Sequence, residues 1–244
     1  MATSELILVR HGESAGNVAR EAAETAGAEH IDIEWRDADV PLSETGTDQA
    51  VALGRWLADL PAARRPTQVW SSPYRRAVET AEIALGETGR PDLVQVDERL
   101  RDRELGILDR LTSLGVRQRY PGEAERRGIL GKFYYRPPGG ESWADVALRL
   151  RSFWRDVTVD ESTLVLCHDA VIMLFRYMLE GLSETELLHL ASGESPGNCS
   201  VTRLTRDGAD GRWQLVEFNQ QSHLIKYGAE PTHHGSEPDA HPRN

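Results

Sequence analysis

The chain has 244 residues, enough for one large core or two small ones, and no break in composition precedes its tail, so a single domain over residues 1–227 is expected. Its 39 acidic against 28 basic residues give a formal charge of -11, which argues against a nucleic-acid partner. No apolar run reaches the roughly 18 residues needed to span a bilayer. Met1 to Glu5 lacks the basic start and apolar stretch of a secretory signal, and two cysteines make no disulfide framework, so a cytoplasmic protein with no membrane partner is expected.

Taken in chain order, Leu6 to Val9 reads as a short buried strand. It runs into Arg10-His11-Gly12-Glu13-Ser14, where Gly12 allows the turn that ends the strand. Arg10 and His11 are thereby presented at a strand's carboxyl end, the place where open α/β sheets bind ligands. A guanidinium matches phosphate oxygens in pairs. An imidazole serves as acid, base or nucleophile near neutral pH. The pair suggests attack by histidine on a phosphoryl group, although an ordinary strand end accounts for it equally well when taken alone.

Residues 17–41 hold few apolar side chains and read as a long loop over the same pocket, with Trp35 or Arg36 touching substrate. A helix is expected from Ser43, its cap, to Leu60, with Ala50, Leu53, Leu57 and Leu60 on one face and Pro61 ending it. Thr67 to Trp70 reads as a second strand. Ser72 then caps a helix whose first residue is Pro73, which puts Arg75 and Arg76 in the opening turns. Cations there are unfavourable unless an anion offsets them, and a phosphate would be that anion. Leu93 to Val96 is a third strand, and Ser142 to Val157 a helix with Val146, Leu150, Phe153 and Val157 inward. Thr163 to Cys167 is a buried strand ending in His168, followed by a helical pattern from Val171 to Leu179. Cys199 to Leu204 and Trp213 to Phe218 form a hairpin at the sheet edge. Both cysteines fall in strand-like runs and read as small buried side chains. The fold expected is α/β: a three-layer sandwich with a mostly parallel central sheet and helices on both faces.

Residues 106–141 fit those layers poorly. They carry Arg117, Arg119, Arg126, Arg127, Lys132, Tyr134, Tyr135 and Arg136, which either hold an anionic substrate or form a solvated helical flap. The tail, residues 228–244, is polar and histidine-rich and reads as disordered, with His233, His234 and His241 solvated rather than bound to metal.

Three strings now stand in order: Arg10-His11-Gly12-Glu13, then Ser71-Ser72-Pro73-x-x-Arg76-Ala77-x-x-Thr80, then the strand ending in His168. With these the chain resembles the histidine phosphatase superfamily, also called the phosphoglycerate mutase-like family, over roughly Leu6 to Leu204. The resemblance implies that His11 is the nucleophile that becomes phosphohistidine, and that Arg10, Arg76 and His168 complete the phosphate pocket. Asn17 matches a polar phosphate contact, and Ser14, Arg103, Glu104 and Asp169 are expected near phosphate or substrate. The family's acid motif is Leu-x-Glu-x-x-x-Gly. Here the segment from Leu100 to Gly106 places Asp102 at the acid position. Glu104 faces the same side in an extended chain and is the rival proton donor. Asp169 replaces a glycine common in the family. The insertion at 106–141 would cap the site and select substrate.

Phosphoryl transfer spreads charge over the equatorial oxygens, so catalysis is mostly positioning and electrostatics. Neighbouring cations hold His11 neutral for attack, and a carboxylic acid protonates the leaving alcohol. No metal or cofactor is expected, since the His, Asp and Glu positions show no H-E-x-x-H spacing. The first reading is a phosphatase acting on a small phosphorylated metabolite. The alternative is a mutase moving phosphate between two hydroxyls, which would need a longer cap to exclude water. A third is a non-catalytic phosphate-binding protein. The resemblance also admits a homodimer.

Overall fold

A computed structural model describes residues 3–157, 162–193, 195–208 and 211–234. Its strands are β1 (Thr3–Arg10), β2 (Gln68–Ser71), β3 (Val94–Val96), β4 (Ser162–Cys167), β5 (Val201–Asp207) and β6 (Gln214–Gln220). They form one sheet in the order β3-β2-β4-β1-β5-β6. β1, β2, β3 and β4 pair in parallel; β5 is antiparallel to β1 and to the edge strand β6. The helices are α1 (Ala15–Thr25), α2 (Glu44–Asp59), α3 (Arg75–Glu87), α4 (Ser113–Arg119), α5 (Pro121–Tyr134), α6 (Trp143–Asp156), α7 (Asp169–Glu180), α8 (Glu184–Gly193) and α9 (Ser222–Lys226). None is long and apolar enough to cross a membrane among the described residues.

The unbroken apolar run of β1 follows from burial on both faces of a parallel sheet. Side chains alternate across a strand, so Leu6 and Leu8 pack with α6, α7 and α8. Ile7 and Val9 pack with α2, α3 and α9 on the opposite side. These are the three layers. Ser43 caps α2 by accepting from the Gly46 amide at 3.0 Å. Ser142 caps α6 in a reciprocal box with Asp145.

Four local expectations are corrected. The first third of the stretch read as a loop is helix α1, capped by a reciprocal Ser14–Asn17 box. Local capping chemistry wins there over a weak apolar stripe. Helix α3 begins at Arg75 rather than Pro73, because the Ser72 hydroxyl turns to the Tyr74 amide and to His168. Cys199 precedes its strand in a left-handed conformation, φ 49°. Gly12 is required by crowding rather than by a special turn, since a Cβ there would lie 2.6 Å from the Gly46 carbonyl oxygen.

Residues 106–141 contain α4 and the kinked α5, which bends at Gly131. They close over a small core of their own, Leu108, Leu111, Val116 and Tyr135. The tail departs furthest from expectation. Residues 228–234 are packed into the molecule: Ala229 is buried, and Gln49 donates to the Glu230 carbonyl at 2.8 Å and to the Thr232 hydroxyl at 2.9 Å. His241 and the rest of 235–244 lie outside the described residues.

Candidate active site

Three adjacent strands, β2, β4 and β1, end side by side, and the ladder runs one residue past each end. The His11 amide donates to the Cys167 carbonyl at 3.0 Å, and the Ser72 amide to the Leu166 carbonyl at 2.9 Å. Their next residues are therefore held at one edge of the sheet. His11 follows β1, His168 follows β4, and Arg76 rides on the first turn of α3 after β2.

His11 Nδ1 lies 2.7 Å from the Gly12 carbonyl oxygen. A carbonyl only accepts, so that contact assigns the proton to Nδ1 and leaves a lone pair on Nε2. Arg76 Nε donates to Nε2 at 3.2 Å. Burial, then the charges of Arg76, His168 and Arg10, push the His11 pKa well below the imidazole range. The ring is neutral at neutral pH. The His168 ring sits 5.2 Å away, edge-on.

Arg10 is almost wholly buried, and burial lowers its pKa. Its Nη1 donates to two backbone carbonyls, Pro196 at 2.7 Å and His234 at 2.8 Å. Its Nε and Nη2 are buried without a hydrogen-bond partner among the described residues. Arg76 is also buried; its guanidinium lies 5.0 Å over the Tyr74 ring. It donates to the Asp37 carbonyl (2.6 Å), to the Asp37 carboxylate (3.0 and 3.5 Å) and to Asp102 Oδ2 (3.0 Å). Burial pulls its pKa down, but the two carboxylates outweigh this and raise it.

Asp102 faces both partners. Oδ2 is 3.2 Å from His168 Nδ1, and Oδ1 accepts from the Arg103 amide at 2.8 Å. Burial favours its neutral form, but His168, Arg76 and the Arg103 amide together hold the carboxyl well below its usual range. Burial lowers the His168 pKa against the pull of Asp102. His168 Nε2 lies 2.8 Å from the Ser72 hydroxyl.

The pocket wall includes Arg10, His11, Ser14, Asn17, Arg76, Asp102 and Arg103, all seven expected from the sequence. Asn17 Oδ1 accepts from the Ser14 amide and from Asn198 Nδ2. Arg103 joins the wall to the insertion, donating to the Glu141 carbonyl at 2.6 Å and to that of Tyr135 at 3.2 Å. Of the other three expected residues, His168 meets the wall through Asp102 without lining it, and two stand apart. Glu104 is exposed, accepts from the Tyr74 hydroxyl at 2.7 Å and does not line the pocket. Asp169 turns back to its own helix, accepting from the Ala170 amide and from Ser195. Trp35 lines the pocket, whereas Arg36 pairs with Asp39 on the surface.

None of the eight basic and aromatic residues singled out in the insertion lines the pocket. Arg119 pairs with Glu29, Arg126 with Glu123 and Arg136 with Asp145. Lys132 sits over the Trp143 ring, and the buried Tyr135 donates to Glu123. The wall is completed instead by Arg20, Ile31, Ile33, Asp37, Asp109 and Arg110, which the sequence reading did not single out. Arg20 was findable: it is three residues from Asn17, hence on the same face once α1 is read as a helix. Arg110 carries a positive φ of 56° and donates to the Trp35 carbonyl at 2.7 Å, which nothing in the sequence announces.

The tail supplies a further unexpected partner. His234 is mostly buried, with Nε2 2.8 Å from Glu13 and Nδ1 3.0 Å from Glu21. Its carbonyl is one of the two that hold Arg10. Among the described residues, no three His, Cys, Asp or Glu side chains are grouped to hold a metal ion.

The chain is similar to known proteins. The chain is 31% identical over 244 residues to a glucosyl-3-phosphoglycerate phosphatase of Mycolicibacterium vanbaalenii, covering 92% of this chain and 98% of that one. It is 30% identical over 199 residues to a 2,3-bisphosphoglycerate-dependent phosphoglycerate mutase of Methylorubrum extorquens (strain PA1), covering 77% and 85%. The solved structure of a mycobacterial glucosyl-3-phosphoglycerate phosphatase superposes with a TM-score of 0.70 at 28% identity, covering 90% of this chain and all (100%) of that one. The model of the histidine phosphatase superfamily (branch 1) matches residues 6–221. That match takes in every strand end described above, and the chain belongs to the histidine phosphatase superfamily.

Proposed function

We propose that the protein hydrolyses a small phosphomonoester through a phosphohistidine on His11. One observation carries the reading: a neutral imidazole on the pocket wall whose Nε2 lone pair is held by Arg76 Nε, among two arginines, a second histidine and a carboxylate. The phosphoryl group docks on Arg10 Nε and Nη2, donors left unpartnered among the described residues, and on Arg76. His11 Nε2 bonds to phosphorus as the ester P–O bond breaks, and Asp102 gives the leaving oxygen its proton. At rest Asp102 is ionised. A phosphoryl dianion brought beside it reverses the local field and raises its pKa, which loads the acid when substrate arrives. In the second half, water attacks phosphorus, the P–N bond breaks, and the Asp102 carboxylate takes the water proton.

The proton donor is Asp102 rather than Glu104, because Asp102 touches both His168 and Arg76 while Glu104 stands outside the wall. The walls of Ile31, Ile33, Trp35 and Leu105 suit a compact organic group. The phosphatases among the relatives favour hydrolysis over transfer between hydroxyls. A cytoplasmic setting is in keeping with the two free, buried cysteines, whose thiols burial pushes up and away from reactivity.

The test is hydrolysis of p-nitrophenyl phosphate without added metal, with quench of ³²P-labelled substrate in alkaline detergent during turnover. Acid-labile label on His11, lost in His11→Ala, is expected. Turnover that never labels His11 would overturn the intermediate.

A further inference from the structure

Arginine has five N–H donors, and in this pocket every one on Arg76 is taken. Nε is bound to His11. Nη1 serves the Asp37 carbonyl and Asp37 Oδ1; Nη2 serves Asp37 Oδ2 and Asp102 Oδ2. Arg10 is the opposite case, with two buried nitrogens unpartnered. One guanidinium is preset for an anion and the other already holds one.

The two carboxylates on Arg76 are not held alike. Asp102 is 14% exposed and fixed by the Arg103 amide and His168 as well. Asp37 is 42% exposed and sits on the short turn Asp37–Asp39 in the stretch joining α1 to α2. Among the described residues its carboxylate has no hydrogen-bond partner but Arg76. It takes one N–H from each terminal nitrogen, the two-point grip that a phosphoryl group uses. If it leaves, its backbone carbonyl still anchors Nη1 and two forked donors are freed.

We propose that Asp37 is a specificity-determining residue: its carboxylate occupies the phosphoryl fork of Arg76 in the free protein, and only a dianionic phosphate displaces it. This rests on the reading of Arg76 as a phosphoryl ligand. A carboxylate or a phosphodiester brings a single charge and gains nothing over the carboxylate already present. A phosphomonoester above its second pKa brings two. Asp37 thereby rejects singly charged anions and weakens the hold on the product phosphate, which shares the substrate's fork.

The test measures binding as well as turnover. Inorganic phosphate and dimethyl phosphate are titrated by calorimetry at pH 8 into the wild type, Asp37→Asn and Asp37→Ala. The Michaelis constant for p-nitrophenyl phosphate and the inhibition constant of phosphate are measured alongside. In both variants phosphate should bind roughly tenfold tighter, the size of one charge-assisted hydrogen bond no longer in competition, and KM should fall with it. Dimethyl phosphate should bind the variants and not the wild type. Weaker phosphate binding in the variants would make Asp37 a support for Arg76, and unchanged binding would make the contact irrelevant; either overturns the proposal alone. If no form binds phosphate, Arg76 is not a phosphoryl ligand and the functional reading falls with it.

Discussion

Residues 106–141 and residues 228–234 differ in composition and do the reverse of what composition suggests. The first is rich in arginine and tyrosine, the side chains that grip anions, yet those side chains are spent on neighbours such as Glu29, Glu123 and Asp145. The second is short, polar and without any arginine, yet it carries the carbonyl that holds Arg10. The difference teaches that long flexible cations satisfy themselves locally when carboxylates are within reach. A backbone acceptor, by contrast, works wherever the chain passes and leaves no mark on residue type.

The largest effect should come from the stem that joins the insertion to the pocket. Asp102→Asn should lower kcat for p-nitrophenyl phosphate by about 10²–10⁴-fold, the range for a general acid, while Glu104→Gln stays within about threefold. The reverse ranking would return the acid to Glu104 and give the insertion a direct part in the chemistry.

Ending the chain after Gly228 removes the His234 carbonyl and two of the partners of Gln49, the Glu230 carbonyl and the Thr232 hydroxyl. The expected loss in kcat/KM is on the order of 10²–10³, comparable to losing one preorganised donor at a phosphoryl or oxyanion site. Circular dichroism would show that the shortened protein is folded. Activity within about twofold of the full chain would reduce the segment to packing.

A smaller effect is expected on α9, just before the segment. His223 on α9 is buried, and burial lowers its pKa to about 4 from 6.5. The unfolded chain binds this proton below about 6.5 and the folded chain only near 4, so stability is fully present at neutral pH and is lost as pH falls through that window. At pH 5.5 the loss from His223 is on the order of 1 kcal/mol. His11 and His168, also lowered, act in the same direction. Urea midpoints at pH 7.5 and 5.5 should show a flatter pH dependence in His223→Leu than in the wild type.

The smallest effect belongs to the insertion's surface. Arg126→Ala with Arg136→Ala should leave kcat/KM within about twofold and stability within about 1 kcal/mol per pair, as for exposed ion pairs. A tenfold rise in KM would show that these arginines reach substrate after all.

Residue type and spacing alone fixed the parts of this protein that are local. The unbroken apolar run Leu6–Val9, the caps at Ser43 and Ser142, and the strand ends carrying His11 and His168 depend on residue type and hydrogen-bonding chemistry within a few residues, so they were legible. Arg10, His11, Arg76 and His168 were identified because three strings stand in the order and spacing of a known family; each string taken alone fits an ordinary strand end or helix surface as well. Tertiary structure alone decided what faces what. It brought Asp37 onto Arg76 across 39 positions and the His234 carbonyl onto Arg10 across 224. It also turned Glu104 out to Tyr74 while Asp102, two residues away, turned in. Contacts between residues so far apart depend on how the layers close, and a carbonyl or a lone carboxylate carries no pattern from which that closure can be read.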